Sequence, residues 1–180
     1  YTTLFRSVRA LAPAFHVTLP LTYPALQCFF DPLHRPGHQW YWRADFVTEL
    51  TDAAIAEHVA HGAVPTLLST MHLYPIDGAV HDVGRNDTAF SFREAKWAEV
   101  IVGVDPDPAN RQLVTDWCRR YHDAVHPHGA GGAYVNFMMD EGLERVHATY
   151  RDNYARLAAL KHRYDPDNLF RVNQNIHPTG

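Results

Sequence analysis

An α+β fold built on an antiparallel β-sheet of about four or five strands, with helices packed on one face, is what this sequence predicts. Three observations lead there. Extended runs and helical patterns follow one another along the chain, several connections are too short for the crossover that parallel strands require, and the extended runs alternate in polarity as half-buried strands do. With 180 residues, 46% of them hydrophobic, one core of ordinary size is expected.

Residues 8–38 hold five of the twelve prolines, so extended and turn geometry should dominate there, with a short helix over Pro24 to Phe30. Gln39 to Phe46 is aromatic and partly alternating, which suits a strand. Asp52 has the character of an N-cap, and Ala53, Ala54, Ile55, Ala56 and Val59 offer an apolar helix face that stops near Gly62. A second strand is expected over Thr66 to Pro75. Thr88 to Asp105 holds one long or two short elements ending in the apolar run Val100 to Val104. Pro106 and Pro108 start a helix in which Leu113, Val114, Trp117, Cys118 and Tyr121 follow helical spacing. The glycine-rich stretch Gly129 to Gly132 feeds a strand over Ala133 to Met138, and a long helix is expected over Glu141 to Arg163.

Composition excludes several functions. A formal net charge of -4 supplies no footprint for nucleic acid or an anionic membrane, and no apolar window is long enough to span a bilayer. Cys28 and Cys118 stand 90 residues apart and read as packed thiols. The only serines, Ser7, Ser69 and Ser91, lie in no G-x-S-x-G elbow, and no phosphate-binding glycine motif follows a strand. Thirteen histidines invite a metal reading. His122, His126 and His128 give an i, i+4 pair and a third candidate, but without H-E-x-x-H or paired cysteines they read as a solvated helix exit, and no metal is assigned.

Two segments carry chemistry. As a strand, Thr70 to Tyr74 would place Thr70, His72 and Tyr74 on one face, where a phenol or imidazole can accept a hydroxyl proton. As a strand, Tyr134 to Phe137 would pair Tyr134 with Asn136, a phenol beside an amide. A solvated sheet face and a loop tie are the alternatives.

Asn153, Tyr154, Leu157, Lys161, Tyr164-Asp165-Pro166, Asn168, Phe170 and Asn173-Gln174-Asn175-Ile176 form a long, specific tail pattern. It is joined by Gly132-Ala133-Tyr134-Val135-Asn136-Phe137, Gly78-Ala79-Val80, Thr88-Ala89-Phe90 with Arg93, Tyr23-Pro24-Ala25-Leu26-Gln27 and Trp40-Tyr41-Trp42. From about Val8 to its end the sequence resembles the berberine-bridge-enzyme-like FAD oxidoreductases. The resemblance implies that residues 8–150 are part of a substrate domain and that residues 151–180 are a tail packing on an N-terminal FAD-binding domain outside this chain. Tyr1–Ser7 match nothing in it and are taken as a non-native or disordered start.

It further implies an FAD cofactor, a small-molecule substrate such as an alcohol, sugar or secondary metabolite, and molecular oxygen as electron acceptor. Tyr134, His72 and Tyr74 become the catalytic candidates, and Asn136, Gln174 and Asn175 the cofactor contacts. Phe137 departs from relatives that carry tyrosine there, and Ile76-Asp77 departs at the turn. Neither cysteine is expected to attach flavin. An inactive binding or assembly domain is the competing expectation for the chain alone, and the cytoplasm is the default compartment, with secretion open.

Overall fold

The computed structural model describes residues 9–12, 19–33 and 35–179, so the expectation for Tyr1–Ser7 lies outside the described residues. The chain divides into two units, residues 1–36 and 37–180. In the first, helix α1 (Tyr23–Gln27) starts at Thr22, whose hydroxyl accepts from Ala25 N at 3.4 Å. It ends before the expected Phe30, and a 3-10 turn follows at Asp31–Leu33. Cys28 is exposed rather than packed, whereas Cys118 is buried.

The second unit contains β1 (Gln39–Val47), α2 (Asp52–His61), β2 (Thr70–Pro75), β3 (Trp97–Asp105), α3 (Arg111–Val125), α4 (Leu143–Tyr150) and α5 (Asn153–Tyr164). The strands form an antiparallel sheet in the order β1-β3-β2, with Tyr41 opposite Gly103 and Met71 opposite Ile101. The α+β class and antiparallel pairing match the sequence prediction. Among the described residues, however, there are three strands, not four or five.

The missing strand is the one expected over Ala133 to Met138. Main-chain bonds from Phe46 N to Gly132 O and from Ala130 N to Phe46 O, both 2.7 Å, dock the glycine segment against β1 at one residue only. Gly131 adopts φ +86, open to glycine and strained for other residues. The chain then turns away, and Phe137 N donates to Tyr134 O at 2.7 Å around a 3-10 turn at Val135–Phe137. Tyr134 and Asn136 therefore share a turn rather than a strand face.

On one sheet face, Tyr41, Ile101 and Met71 meet α3 through Trp117, Cys118, Tyr121 and Val125. Each large apolar side chain buried there contributes roughly 1.5–3 kcal/mol. Gly103 permits the close approach, since a Cβ there would sit 2.8 Å from Val114 Cβ. Leu113, expected on this face, is exposed. Helix α2 packs on α3. Thr51, not Asp52, caps α2, its hydroxyl accepting from Ala54 N at 3.2 Å. Only Ala54 of its expected apolar face is buried.

The opposite sheet face carries Trp42, Ala44, Phe46, Ala98, Val100 and Val102, with His72 and Tyr74 along β2. Ala133, Met138 and Val146 of α4 cover its middle, so both faces are partly packed.

The single helix expected over Glu141 to Arg163 is broken between α4 and α5 at Arg151, which has φ +49. Tertiary bonds compete with the helix there. Ser91 Oγ donates to Tyr150 O at 2.5 Å, Asn153 Nδ2 donates to Ser91 Oγ at 2.8 Å, and the Arg151 guanidinium lies 3.5 Å from the centre of the Phe92 ring.

Candidate active site

The open part of the Trp42 face forms an aromatic wall. His72 stacks on Tyr74 with ring centres 5.5 Å apart, as the period of two along β2 requires. His72 Nε2 is 2.8 Å from Thr70 Oγ1. Tyr74 meets Phe137 at 5.5 Å, and Phe137 meets Tyr134 edge-on at 5.1 Å. Asn136 Nδ2 donates to the Tyr134 phenol oxygen at 2.7 Å. The fold thus gathers Tyr74, Tyr134 and Asn136 around Phe137, with His72 stacked beyond Tyr74, although a turn rather than a strand delivers Tyr134 and Asn136.

Two clefts flank that turn. An apolar one of about 390 Å³ lies between Tyr74, Tyr134 and Phe137 on one side and Phe46, Phe90 and Arg93 on the other. Arg93, held by Val80 O at 3.1 Å and Phe90 O at 3.2 Å, is the charged residue of that lining. A more polar cleft of about 430 Å³ runs past Trp42, Asn136, Tyr150 and Gln174. Gln174 Nε2 donates to Met138 O and Met139 O, both at 2.9 Å, and so ties the tail to the turn. Asn175 does not line that cleft, but its Oδ1 is buried with no hydrogen-bond partner.

The tail owes its path to Asp165. Its carboxylate accepts from Leu169 N at 2.7 Å and Phe170 N at 3.0 Å and pairs with Lys161, reversing the chain after α5. Asn168 and Asn173 take positive φ, which asparagine tolerates better than most residues.

Behind the sheet, under α3, lies a second polar group of residues. Asp45 Oδ1 receives Arg145 at 2.5 Å, and Oδ2 lies 2.7 Å from His126 Nδ1 and 3.1 Å from His122 Nε2. Burial opposes ionisation of Asp45, but the nearness of His122, His126 and Arg145 prevails and holds its carboxyl at about 2. Glu99 has the opposite fate. Burial, aided by the charge of Asp45, pushes its carboxyl up to about 8. His58 Nε2 stands 3.4 Å from Glu99, and its own pKa is lowered by burial and by His128, so the two meet as a neutral pair near pH 7. Tyr121 lies 2.9 Å from His58 Nδ1 and is pushed up to about 12 by burial and by Glu99.

Residues 133–177 match the family model described as berberine and berberine like, covering the turn, α4, α5 and the tail. That segment is similar to berberine-bridge-enzyme-like proteins. An FAD-linked oxidoreductase of Dictyostelium discoideum is 26% identical over 161 residues, taking in 88% of this chain and 35% of that protein. A solved variant of berberine bridge enzyme superposes with a TM-score of 0.77 at 16% identity, over 99% of this chain and 43% of that one. A glycopeptide hexose oxidase complexed with teicoplanin gives 0.70 at 21% identity, over 77% and 32%. The two structures show likeness of fold. The chain spans about a third of the length of the curated relative. Among its described residues no helix is long and apolar enough to cross a membrane.

Sequence reasoning missed Phe46, Phe90 and Arg93 as walls of the apolar cleft, because nothing in their local spacing shows that the loop before β3 folds against β1. It also missed the joining of Asp45 to His122 and His126. The i, i+4 histidines were visible, but their carboxylate lies 77 residues away in sequence.

Proposed function

We propose that this chain supplies the substrate-side wall of an FAD-dependent oxidoreductase that oxidises an alcohol, sugar or secondary metabolite, with molecular oxygen as electron acceptor. The arrangement of Tyr74, Tyr134 and Asn136 around Phe137, with His72 stacked on Tyr74, between an apolar and a polar cleft, carries this reading. The FAD-linked relatives support it.

Neutral amides suit the edge of a flavin ring, which both donates and accepts hydrogen bonds. Asn136 and Gln174 border the polar cleft, and the buried, unpartnered Asn175 Oδ1 is an acceptor awaiting a donor. FAD, when bound with the help of the domain outside this chain, supplies the two-electron acceptor. The apolar cleft excludes water around the substrate carbon, and Tyr74 and Phe137 orient its ring or chain. Tyr134 takes the hydroxyl proton as that carbon gives up hydride. In this role Tyr134 acts as the phenolate, and the Asn136 amide, which donates to the same oxygen, stabilises that anionic form until the proton arrives and leaves a neutral phenol. His72, partnered by Thr70, stands at the far end of the wall as the alternative acceptor, reached through Tyr74.

The test is anaerobic flavin reduction in the FAD-loaded full-length protein with a simple hexose or an aromatic alcohol. Tyr134→Phe should slow reduction by roughly 10²-fold or more, the range for loss of a general base, with substrate affinity little changed. Reduction at the parental rate would remove Tyr134 from the role.

A further inference from the structure

We propose that Asp45, His122 and His126 form a binding site for a first-row transition-metal dication, zinc by chemical preference, on the sheet face opposite the aromatic wall. Three donor atoms of suitable type, one carboxylate oxygen and two imidazole nitrogens, lie within 4.8 Å of one another. They come from two elements. β1 turns Asp45 under α3, and α3 presents His122 and His126 one turn apart with their rings stacked at 5.0 Å.

Both imidazoles point at the same oxygen. His126 Nδ1 is 2.7 Å from Asp45 Oδ2, and His122 Nε2 is 3.1 Å from it. Yet His122 Nε2, on a residue only 8% exposed, is buried and its 3.1 Å contact with Oδ2 lacks the alignment of a hydrogen bond. A buried ring nitrogen aimed at a carboxylate without a bond to it is costly unless another partner takes its lone pair. A dication would do so. Zinc binds nitrogen and oxygen at about 2.0–2.2 Å, which sets its tetrahedral ligands roughly 3.3 Å apart, so the Asp45 and histidine atoms need to spread by well under 1 Å.

The surroundings fit a ligand set. Arg145 holds Asp45 Oδ1 at 2.5 Å, leaving Oδ2 as a one-oxygen ligand of fixed direction. Asp123 Oδ1 stands 3.9 Å from His122 Nδ1, placed to draw near as a carboxylate behind a ligating imidazole. Gly129 brings the chain close, since a Cβ there would lie 3.3 Å from Asp45 Oδ2. The His126 side chain is 44% exposed, so an ion can reach the site from solvent and keep water as its fourth ligand. Bound metal would fasten α3 to β1.

Zinc uptake by the full chain, freed of metal with a chelator, tests this, with cobalt as the coloured substitute. One equivalent of zinc should bind and raise the melting temperature, and cobalt should give visible absorption bands of a low-coordinate site. His126→Gln and His122→Gln should each weaken binding roughly tenfold or more and remove the bands. His81→Gln, an exposed histidine elsewhere, should leave both intact. Because His126 is partly exposed, its variant is expected to fold, and circular dichroism checks this. Absence of stoichiometric zinc in the parent, or equal affinity in the parent and both site variants, overturns the proposal.

Discussion

Glu99→Gln should stabilise the protein, and increasingly so as the pH rises. Glu99 is 2% exposed, and burial together with Asp45 pushes its carboxyl up to about 8 from an ordinary 4.5. Between those values the folded chain holds a proton that the unfolded chain has released, so stability falls as the pH climbs through this window and levels off above it. At about 1.4 kcal/mol per pH unit, the ceiling near pH 8 is about 5 kcal/mol. Relaxation and water around a buried carboxylate soften such penalties, and somewhat under half the ceiling, about 2 kcal/mol, is the expectation. Glutamine has the shape of the protonated acid and carries no charge at any pH. For a chain of this size 2 kcal/mol is a rise of about 4–8 °C in melting temperature. Thermal unfolding followed by circular dichroism from pH 5 to pH 8, parent beside variant, should give melting temperatures that nearly coincide at pH 5 and separate steadily towards pH 8. His58, whose lowered pKa takes away stability as the pH falls below the ordinary histidine range, bends both curves alike. A gap that does not vary with pH, or a less stable variant at pH 8, would refute the reading of Glu99 as a buried neutral acid.

Gly132→Ala would put a Cβ 2.3 Å from Phe92 Cζ and 3.0 Å from Ala148 O, so it should cost about 1–3 kcal/mol in a urea titration. Gln174→Ala removes two bonds to the Met138 and Met139 carbonyls, each worth about 1 kcal/mol. Its effect should be local, with faster amide hydrogen exchange over residues 171–177 and a global melting temperature close to the parent's.

The sheet was legible because its signals are local. The alternation in Gln39 to Phe46 and the period of two through Thr70, His72 and Tyr74 survive in the structure as β1 and β2. Helix α3 was legible for the same reason, since Val114, Trp117, Cys118 and Tyr121 are buried at the spacing that announced them. What failed was what distant contacts decide. Nothing in Tyr134 to Phe137 reveals that Ala130 and Gly132 will use both main-chain groups of Phe46 and turn the chain off the sheet after one residue. Nor does the run from Glu141 to Arg163 reveal that Ser91, 59 residues before Tyr150, will claim its carbonyl and divide the helix. Of the candidate wall, His72 and Tyr74 followed from spacing, whereas Tyr134 and Asn136 reached it through a turn whose geometry their residue types did not announce.

The two faces of one small sheet hold their polar groups under opposite conditions. On the open face, His72, Tyr74, Tyr134 and Asn136 are exposed, with Asn136 bonded to Tyr134 and His72 to Thr70, so a substrate can exchange for water there without breaking the core. On the closed face, Asp45 and Glu99 are almost fully buried, side by side on paired strands in direct register. Two like charges so placed cannot both persist in a poorly solvated space. Arg145 and the two histidines settle the matter in favour of Asp45, and Glu99 keeps its proton. If a dication takes the place between Asp45 and the histidines, it should further stabilise ionised Asp45 and, as a positive charge near Glu99, draw that carboxyl back towards its ordinary range. Zinc should then reduce the pH-dependent gap between the parent and Glu99→Gln, and an unchanged gap with zinc bound would show that the two carboxylates do not sense one another through the sheet.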